Sequence, residues 1–167
     1  MDNIILIGMP GAGKSTVGVV LAKSLGFRFI DSDLLIQKKT GAILHDIIKE
    51  HGLEDFSSIE NEVNRSIKTN KTVIATGGSV VYCTEAMQHL KTIGTVIYLK
   101  LSYDEIEKRL GNLEQRGVAI KKGQTLKSLY DERIPLYEKY ADITIICEGK
   151  QIREIVNEIV CIFRPRC

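Results

Sequence analysis

Gly8-Met9-Pro10-Gly11-Ala12-Gly13-Lys14-Ser15-Thr16 fits the pattern G-x-x-x-x-G-K-[ST] and sets the frame for the whole chain. Just before it, Ile4-Ile5-Leu6-Ile7 is a short, β-branched apolar run that reads as a buried parallel strand. After it, Val17, Val20, Leu21 and Leu25 recur at helical spacing. A glycine-rich turn between a strand and a helix is the context in which this pattern binds phosphate. Glycines let the backbone close around an anion, and successive N–H groups at the helix N-terminus then face it. Gly11, Ala12, Gly13, Lys14, Ser15 and Thr16 are therefore expected to cradle a nucleoside triphosphate. Lys14 supplies a cation to the β- and γ-phosphates, and the Ser15 hydroxyl a ligand to Mg²⁺.

Outward from this loop, strand and helix patterns alternate. Gly26 ends the first helix, and Phe27-Arg28-Phe29-Ile30 reads as a second strand that finishes at Asp31-Ser32-Asp33. Helical spacing resumes with Leu34, Leu35 and Ile36, and again with Ile43, Leu44, Ile47 and Ile48, before a break around Gly52. A further helix is expected from about Phe56 to Lys68, then the strand Thr72-Val73-Ile74-Ala75, stopped by Gly77-Gly78. A short helix near Ala86 to Leu90 leads to the strand Thr95-Val96-Ile97-Tyr98-Leu99, and Ser102 reads as the N-cap of another helix. From Gly111 to Gly123 the apolar period lapses among Arg116, Lys121, Lys122 and three glycines, which predicts a functional or mobile loop. A helix from about Thr125 to Tyr140, the strand Ile143-Thr144-Ile145-Ile146 and a helix from about Gln151 to Ile162 complete the chain. The alternation predicts an α/β, three-layer P-loop NTPase fold, with a parallel sheet of about five strands and helices on both faces. One domain spans residues 1–167, and ligands belong at the carboxyl ends of its strands.

The composition agrees with an ordinary soluble protein. Basic residues exceed acidic ones by a net charge of +2 and are dispersed, so no nucleic-acid footprint is expected. The first apolar run is too short for a signal peptide or a membrane span. Cys83, Cys147, Cys161 and Cys167 lie far apart with no C-x-x-C pair, which argues against a disulfide framework and places the chain in the cytoplasm. No long apolar face is left over, so a monomer is expected.

The strand ends carry the chemistry. The third strand ends in Thr76-Gly77-Gly78-Ser79, which offers N–H groups and hydroxyls but no acid. The second ends with Asp31 and Asp33 at alternate positions, on one side if the chain stays extended. That spacing assigns Asp31 to the metal shell and Asp33 to the hydroxyl of an acceptor, as its orienter and base. The alternative is that one of them caps the next helix.

The ordered set Gly8 to Thr16, Asp31-Ser32-Asp33, Thr76-Gly77-Gly78, a lid arginine, and Glu132-Arg133-Ile134-Pro135-Leu136-Tyr137 closely resembles the shikimate kinase family, within the nucleoside-monophosphate-kinase-like group. The resemblance spans nearly the whole chain. It implies transfer of the ATP γ-phosphoryl group to a ring hydroxyl of shikimate, an aromatic amino-acid precursor, with Mg²⁺ and a mobile lid at about 111–123. It matches Lys14, Ser15 and Asp31 to the phosphate and metal group. Asp33, Gly77, Gly78 and Arg133 match substrate-binding positions, within an acceptor segment at about 31–60 and beyond. Arg116 matches the lid arginine that reaches the transferring phosphate, and Arg109 an arginine packed near the adenine. Arrival of Arg116 only on closure would also exclude water from the reaction. Pro135 is expected to kink its helix and aim Arg133 at a carboxylate.

Four positions depart from the family pattern. Gly-Glu-x-x-Phe-Arg ahead of a glutamate is here Gly52-Leu53-Glu54-Asp55-Phe56-Ser57, with Glu60 following. The third glycine of the Gly-Gly-Gly turn is Ser79, and the lid Arg-Pro pair is Arg116-Gly117. Ser57 removes an arginine whose contact to a carboxylate is worth roughly 1.5–3 kcal/mol. Arg65 lies about 12 Å further along a helix and some 80° around it, which leaves Lys38 or Lys39 as substitutes. Three readings follow: a shikimate kinase without that arginine, a related kinase for a different small alcohol, and an inactive nucleotide-binding regulatory protein.

Overall fold

The computed structural model describes residues 2–111 and 117–164. Strand β1 (Asn3–Ile7) is followed by helix α1 (Lys14–Leu25), β2 (Arg28–Asp31), α2 (Ser32–Thr40), α3 (Leu44–Arg65) and β3 (Thr72–Ala75). After a single 3₁₀ turn at Val80–Tyr82 come α4 (Thr84–Ile93), β4 (Gly94–Lys100), α5 (Tyr103–Leu110), α6 (Leu126–Tyr140), β5 (Ile143–Ile146) and α7 (Ile152–Phe163). The five strands form one parallel sheet in the order β2-β3-β1-β4-β5. β1 is central, with Leu6 opposite Ala75 on one side and Ile97 on the other. Every residue of β1 is buried, as a strand covered on both faces requires. α1 packs against α7 and β3, and α4 against α3 and β4, giving the three-layer P-loop arrangement.

After β1 the chain runs outward to β2, returns to β3 and then crosses to β4, so the strand order reverses beside β1. That switch point opens a crevice at the carboxyl ends of the strands. Thr76 ties the end of β3 to β1, its N–H and hydroxyl both donating to the Leu6 carbonyl. A smaller apolar cluster of Ile36, Ile47, Phe56 and Val63 joins α2 to α3 and forms the flank of the crevice.

Several elements differ in extent from the sequence expectation. The helices expected on either side of Gly52 are one element, α3, bent at that glycine by a left-handed φ of 78° and ending at Arg65. α4 extends beyond 86–90 to Thr84–Ile93, because only Ala86, Met87 and Leu90 of it face the core and its solvent-facing residues carry no apolar signal. The chain also does not stay extended through Asp33. α2 begins at Ser32, so Asp33 stands in the first turn of a helix. Pro135 lies within α6, which is continuous from Leu126 to Tyr140.

Candidate active site

The loop between β1 and α1 forms the floor of a cavity of about 350 Å³. Gly11 and Gly13 hold φ of 81° and 90°, a left-handed backbone that turns the loop into the start of α1. The cavity wall takes in Gly11, Gly13, Lys14, Ser15 and Thr16 from this loop, with Ala12 buried beneath. Lys14 is 8% exposed and donates from Nζ to the carbonyls of Gly8 (2.8 Å) and Met9 (2.9 Å). Burial lowers its ammonium to about 8; Arg133 acts in the same direction and Asp33 against it. A lysine held so, desolvated at the cavity wall, favours an anion beside it.

Asp31 caps α2 and also faces α1. Its Oδ1 accepts from the Asp33 N–H (3.0 Å) and its Oδ2 from the Ser15 hydroxyl (2.6 Å). The cap and the metal assignment are thus compatible uses of one carboxylate. No group of three or more metal-ligating side chains exists among the described residues. A hydroxyl and a carboxylate at the head of a phosphate-binding loop suit Mg²⁺, which keeps several waters and takes phosphate oxygens as ligands.

Asp33 lies deeper. Its Oδ1 is buried without a hydrogen-bond partner, and burial, reinforced by the charge of Asp31, pushes its carboxyl up to about 6. Across from it runs the turn Gly77-Gly78-Ser79. A Cβ on Gly77 would stand 2.8 Å from Asp33 Oδ1 and 2.8 Å from Glu60 Oε1, so only glycine lets both carboxyls approach. A Cβ on Gly78 would meet Pro10 and lie 3.1 Å from Arg133 Nη1. The turn is braced from below by Tyr137, whose hydroxyl donates to the Gly78 carbonyl (2.6 Å) while its ring stacks on Tyr98.

Arg133 is 1% exposed and is the largest fully buried side chain among the described residues. Its Nη2 donates to the Ala119 carbonyl (2.6 Å), its guanidinium lies 5.4 Å from the Tyr82 ring centre, and its Nε has no partner. These contacts, rather than a break at Pro135, fix where it points. The neighbouring acids do not hold it. Asp131 pairs with Lys127, and Glu132 accepts from Tyr82 and Gln124.

Of the candidate substitutes for a second cation, Arg65 and Lys39 are engaged elsewhere. Arg65 pairs with Glu85 and Lys39 with Glu62, all exposed, and Lys38 is exposed on α2. Arg109 reaches the loop from α5, donating from Nη1 to the Gly11 carbonyl (3.3 Å) and pairing through Nε with Glu105. Arg116 lies outside the described residues. Just after it, Gly117 rests against Leu44 and His45 at the start of α3, and Gly117 to Ala119 line the cavity. Cys83 and Cys147 are buried free thiols, pushed up by burial to about 12 and about 11, and Cys161 is an exposed one.

Glu60 was present in the motif but assigned no part from sequence. It is 1% exposed and accepts from the Ser79 hydroxyl at Oε2 (2.6 Å); among the described residues Oε1 has no partner and the carboxyl makes no ion pair. Burial pushes its carboxyl up to about 7, against the Ser79 hydrogen bond. A glutamate on the apolar side of an amphipathic helix was the available signal. Tyr82, in the single 3₁₀ turn, carries no such signal, and Tyr137 enters the sequence reading only as the last residue of the family motif.

The shikimate kinase family model matches residues 10–163. The shikimate kinase of Persephonella marina is 38% identical over 161 residues, covering 96% of this chain and 98% of its own length. That of Thermodesulfovibrio yellowstonii is 40% identical over 163 residues, covering 96% and 94%. The solved shikimate kinase of Acinetobacter baumannii in complex with shikimate superposes with a TM-score of 0.88 at 33% identity, covering 99% of this chain and 94% of that one. A phosphate-binding loop, a half-buried aspartate and a buried arginine around one crevice, in a chain alike to these over almost all its length, place it in the shikimate kinase family of phosphotransferases that act on a hydroxyl group.

Proposed function

We propose that the chain transfers the γ-phosphoryl group of ATP to a ring hydroxyl of shikimate. The observation that carries this is the convergence of Lys14, Asp33, Gly77, Gly78 and Arg133 on one cavity at the sheet's switch point. The loop from Gly11 to Thr16 binds the phosphates, with its N–H groups and Lys14 matching their charge. Mg²⁺ would be held by Ser15 and through Asp31, and supplies neutralisation of phosphate charge. Asp33 faces the acceptor hydroxyl. Held up at about 6, its carboxyl is ionised at neutral pH yet basic enough to draw the proton as the oxygen attacks.

Arg133 binds the acceptor carboxylate. Its position is set before binding by Ala119 and Tyr82, so little side-chain freedom is lost when it does so. Gly77 and Gly78 let the acceptor lie against the backbone of the turn. Arg109 borders the nucleotide at Gly11, and Arg116 completes charge neutralisation from the lid. We place the enzyme in the cytoplasm as a monomer. Among the described residues no helix is long and apolar enough to cross a membrane.

The test is ADP release dependent on Mg²⁺ and ATP, with shikimate set beside small polyols, sugar acids and amino-acid alcohols. Saturation by shikimate with phosphorylated product is expected. ATP binding without turnover on any of these alcohols would overturn the proposal.

A further inference from the structure

With serine at position 57, the described residues hold two buried cations, Lys14 at the phosphate-binding loop and Arg133 at the acceptor side. Two carboxylates have a claim on Arg133. One is that of the acceptor; the other is Glu60, itself 1% exposed and close enough for the two charges to bear on each other. Opposite charges taken out of water attract strongly. Yet among the described residues Glu60 makes no ion pair, and its Oε1 has no partner at all. A guanidinium paired with Glu60 would be lost to the acceptor.

Both side chains are held by one turn, the segment after β3. Ser79 donates its hydroxyl to Glu60 Oε2 (2.6 Å). Tyr82 lies in the same turn, its N–H donating to the Ser79 carbonyl (3.0 Å). The Tyr82 ring stands 5.4 Å from the Arg133 guanidinium, whose Nη2 is engaged with the Ala119 carbonyl. The far end of the ring is fixed as well: its hydroxyl donates to Glu132 (2.5 Å), which also accepts from Gln124 (3.1 Å). Ser79 has φ −91° and ψ −4°, an ordinary right-handed backbone that needs no glycine. Ser57 and Ser79, two departures from the family pattern, thus bear on the same carboxyl: position 57 is three residues before Glu60 on α3, where a helix brings side chains together.

We propose that Ser79 and Tyr82 are positioning residues that keep Arg133 and Glu60 apart, so that the single guanidinium stays free for the acceptor carboxylate. Ser79 gives Glu60 a neutral partner in place of a cation. Tyr82 gives Arg133 an aromatic face, which attracts a cation without competing for its N–H donors. This deepens the proposed function and rests on it.

The experiment measures KM for shikimate, KM for ATP and kcat in the unmodified chain and in variants of the turn. Ser79→Gly, although it restores the family residue, should raise KM for shikimate by about tenfold, with kcat and KM for ATP little changed. Ser57→Arg gives Glu60 a cation of its own, so it should lower KM by about threefold more in Ser79→Gly than in the unmodified chain. Tyr82→Gln, which removes the ring, should raise KM for shikimate by about three- to thirtyfold. Tyr82→Phe, which keeps the ring, should stay within about threefold of the unmodified chain. Tyr82 is 39% exposed, so these two replacements do not open the core. An unchanged KM in Ser79→Gly, additive effects of Ser57→Arg and Ser79→Gly, or equal losses in Tyr82→Gln and Tyr82→Phe overturns the inference. Failure of the unmodified chain to phosphorylate shikimate, with ATP still bound, overturns the functional proposal instead.

Discussion

The nucleotide half and the acceptor half of the crevice are built by different means. The first is mainly backbone: three glycines, the head of α1, and two side chains whose hydrogen bonds go to the loop itself or to the capping carboxylate of α2. The second is mainly side chains that arrive from α2, α3, α6 and the turn after β3, each held by a different neighbour. The nucleotide half fits its sequence pattern at every position, whereas the acceptor half departs from it at Leu53, Ser57 and Ser79. A site made of backbone admits few sequences, because every N–H must face the same anion. A site made of side chains can be completed by different partners, and here the Glu60 carboxyl is held by the Ser79 hydroxyl.

Four outcomes bear on this contrast. The largest is expected for Asp33→Asn, which should lower turnover by about a thousandfold while nucleotide affinity, measured by calorimetry, changes little. Equal loss of nucleotide binding would show that the two halves are not separable. Arg133→Lys should raise KM for shikimate by about a hundredfold, since an ammonium cannot both hold the Ala119 carbonyl and reach a carboxylate. An unchanged KM would remove Arg133 from the acceptor half.

Next in size is Gly77→Ala. Its methyl group displaces both Asp33 and Glu60, so KM for shikimate should rise by about tenfold or more with the thermal midpoint nearly kept. A fall in the midpoint with KM unaltered would make Gly77 a folding residue. The smallest is a pH effect. Glu60 gains its charge as pH rises through about 7, which places a negative group beside Arg133 and weakens binding of a carboxylate. KM for shikimate should therefore rise severalfold from pH 6 to pH 8, on the order of one lost weak contact. A KM that stays flat over that range would place the titration elsewhere.

The same contrast governs how much was legible beforehand. The strand–loop–helix unit at Ile4 to Leu25 and the alternation after it were readable because each rests on local pattern: β-branched runs, helical spacing, glycine at positive φ. The break at Gly52 was readable for the same reason, although the structure keeps both sides in one bent helix. Asp31 and Asp33 are legible, but by an argument from a chain extended through Asp33, whereas the strand ends two residues earlier, at Asp31. Asp33 still lines the crevice and Asp31 still meets Ser15, because a helix start presents its first turn to the same end of the sheet that the strand end does.

What the sequence alone determined is therefore the phosphate-binding loop, the parallel α/β layering and the class of chemistry, all set by short-range periodicity and by residue types with few alternatives. Tertiary structure alone decided which polar groups meet. Glu60 and Ser79 are separated by nineteen residues, and Arg133 and Ala119 by fourteen, yet each pair is in direct contact. No local pattern encodes such pairs, because they depend on how α3 and α6 pack around the turn after β3. That packing also buries Glu60 and Arg133 almost completely. The sequence names all four residues, but only the packing of distant elements brings their polar atoms within bonding distance.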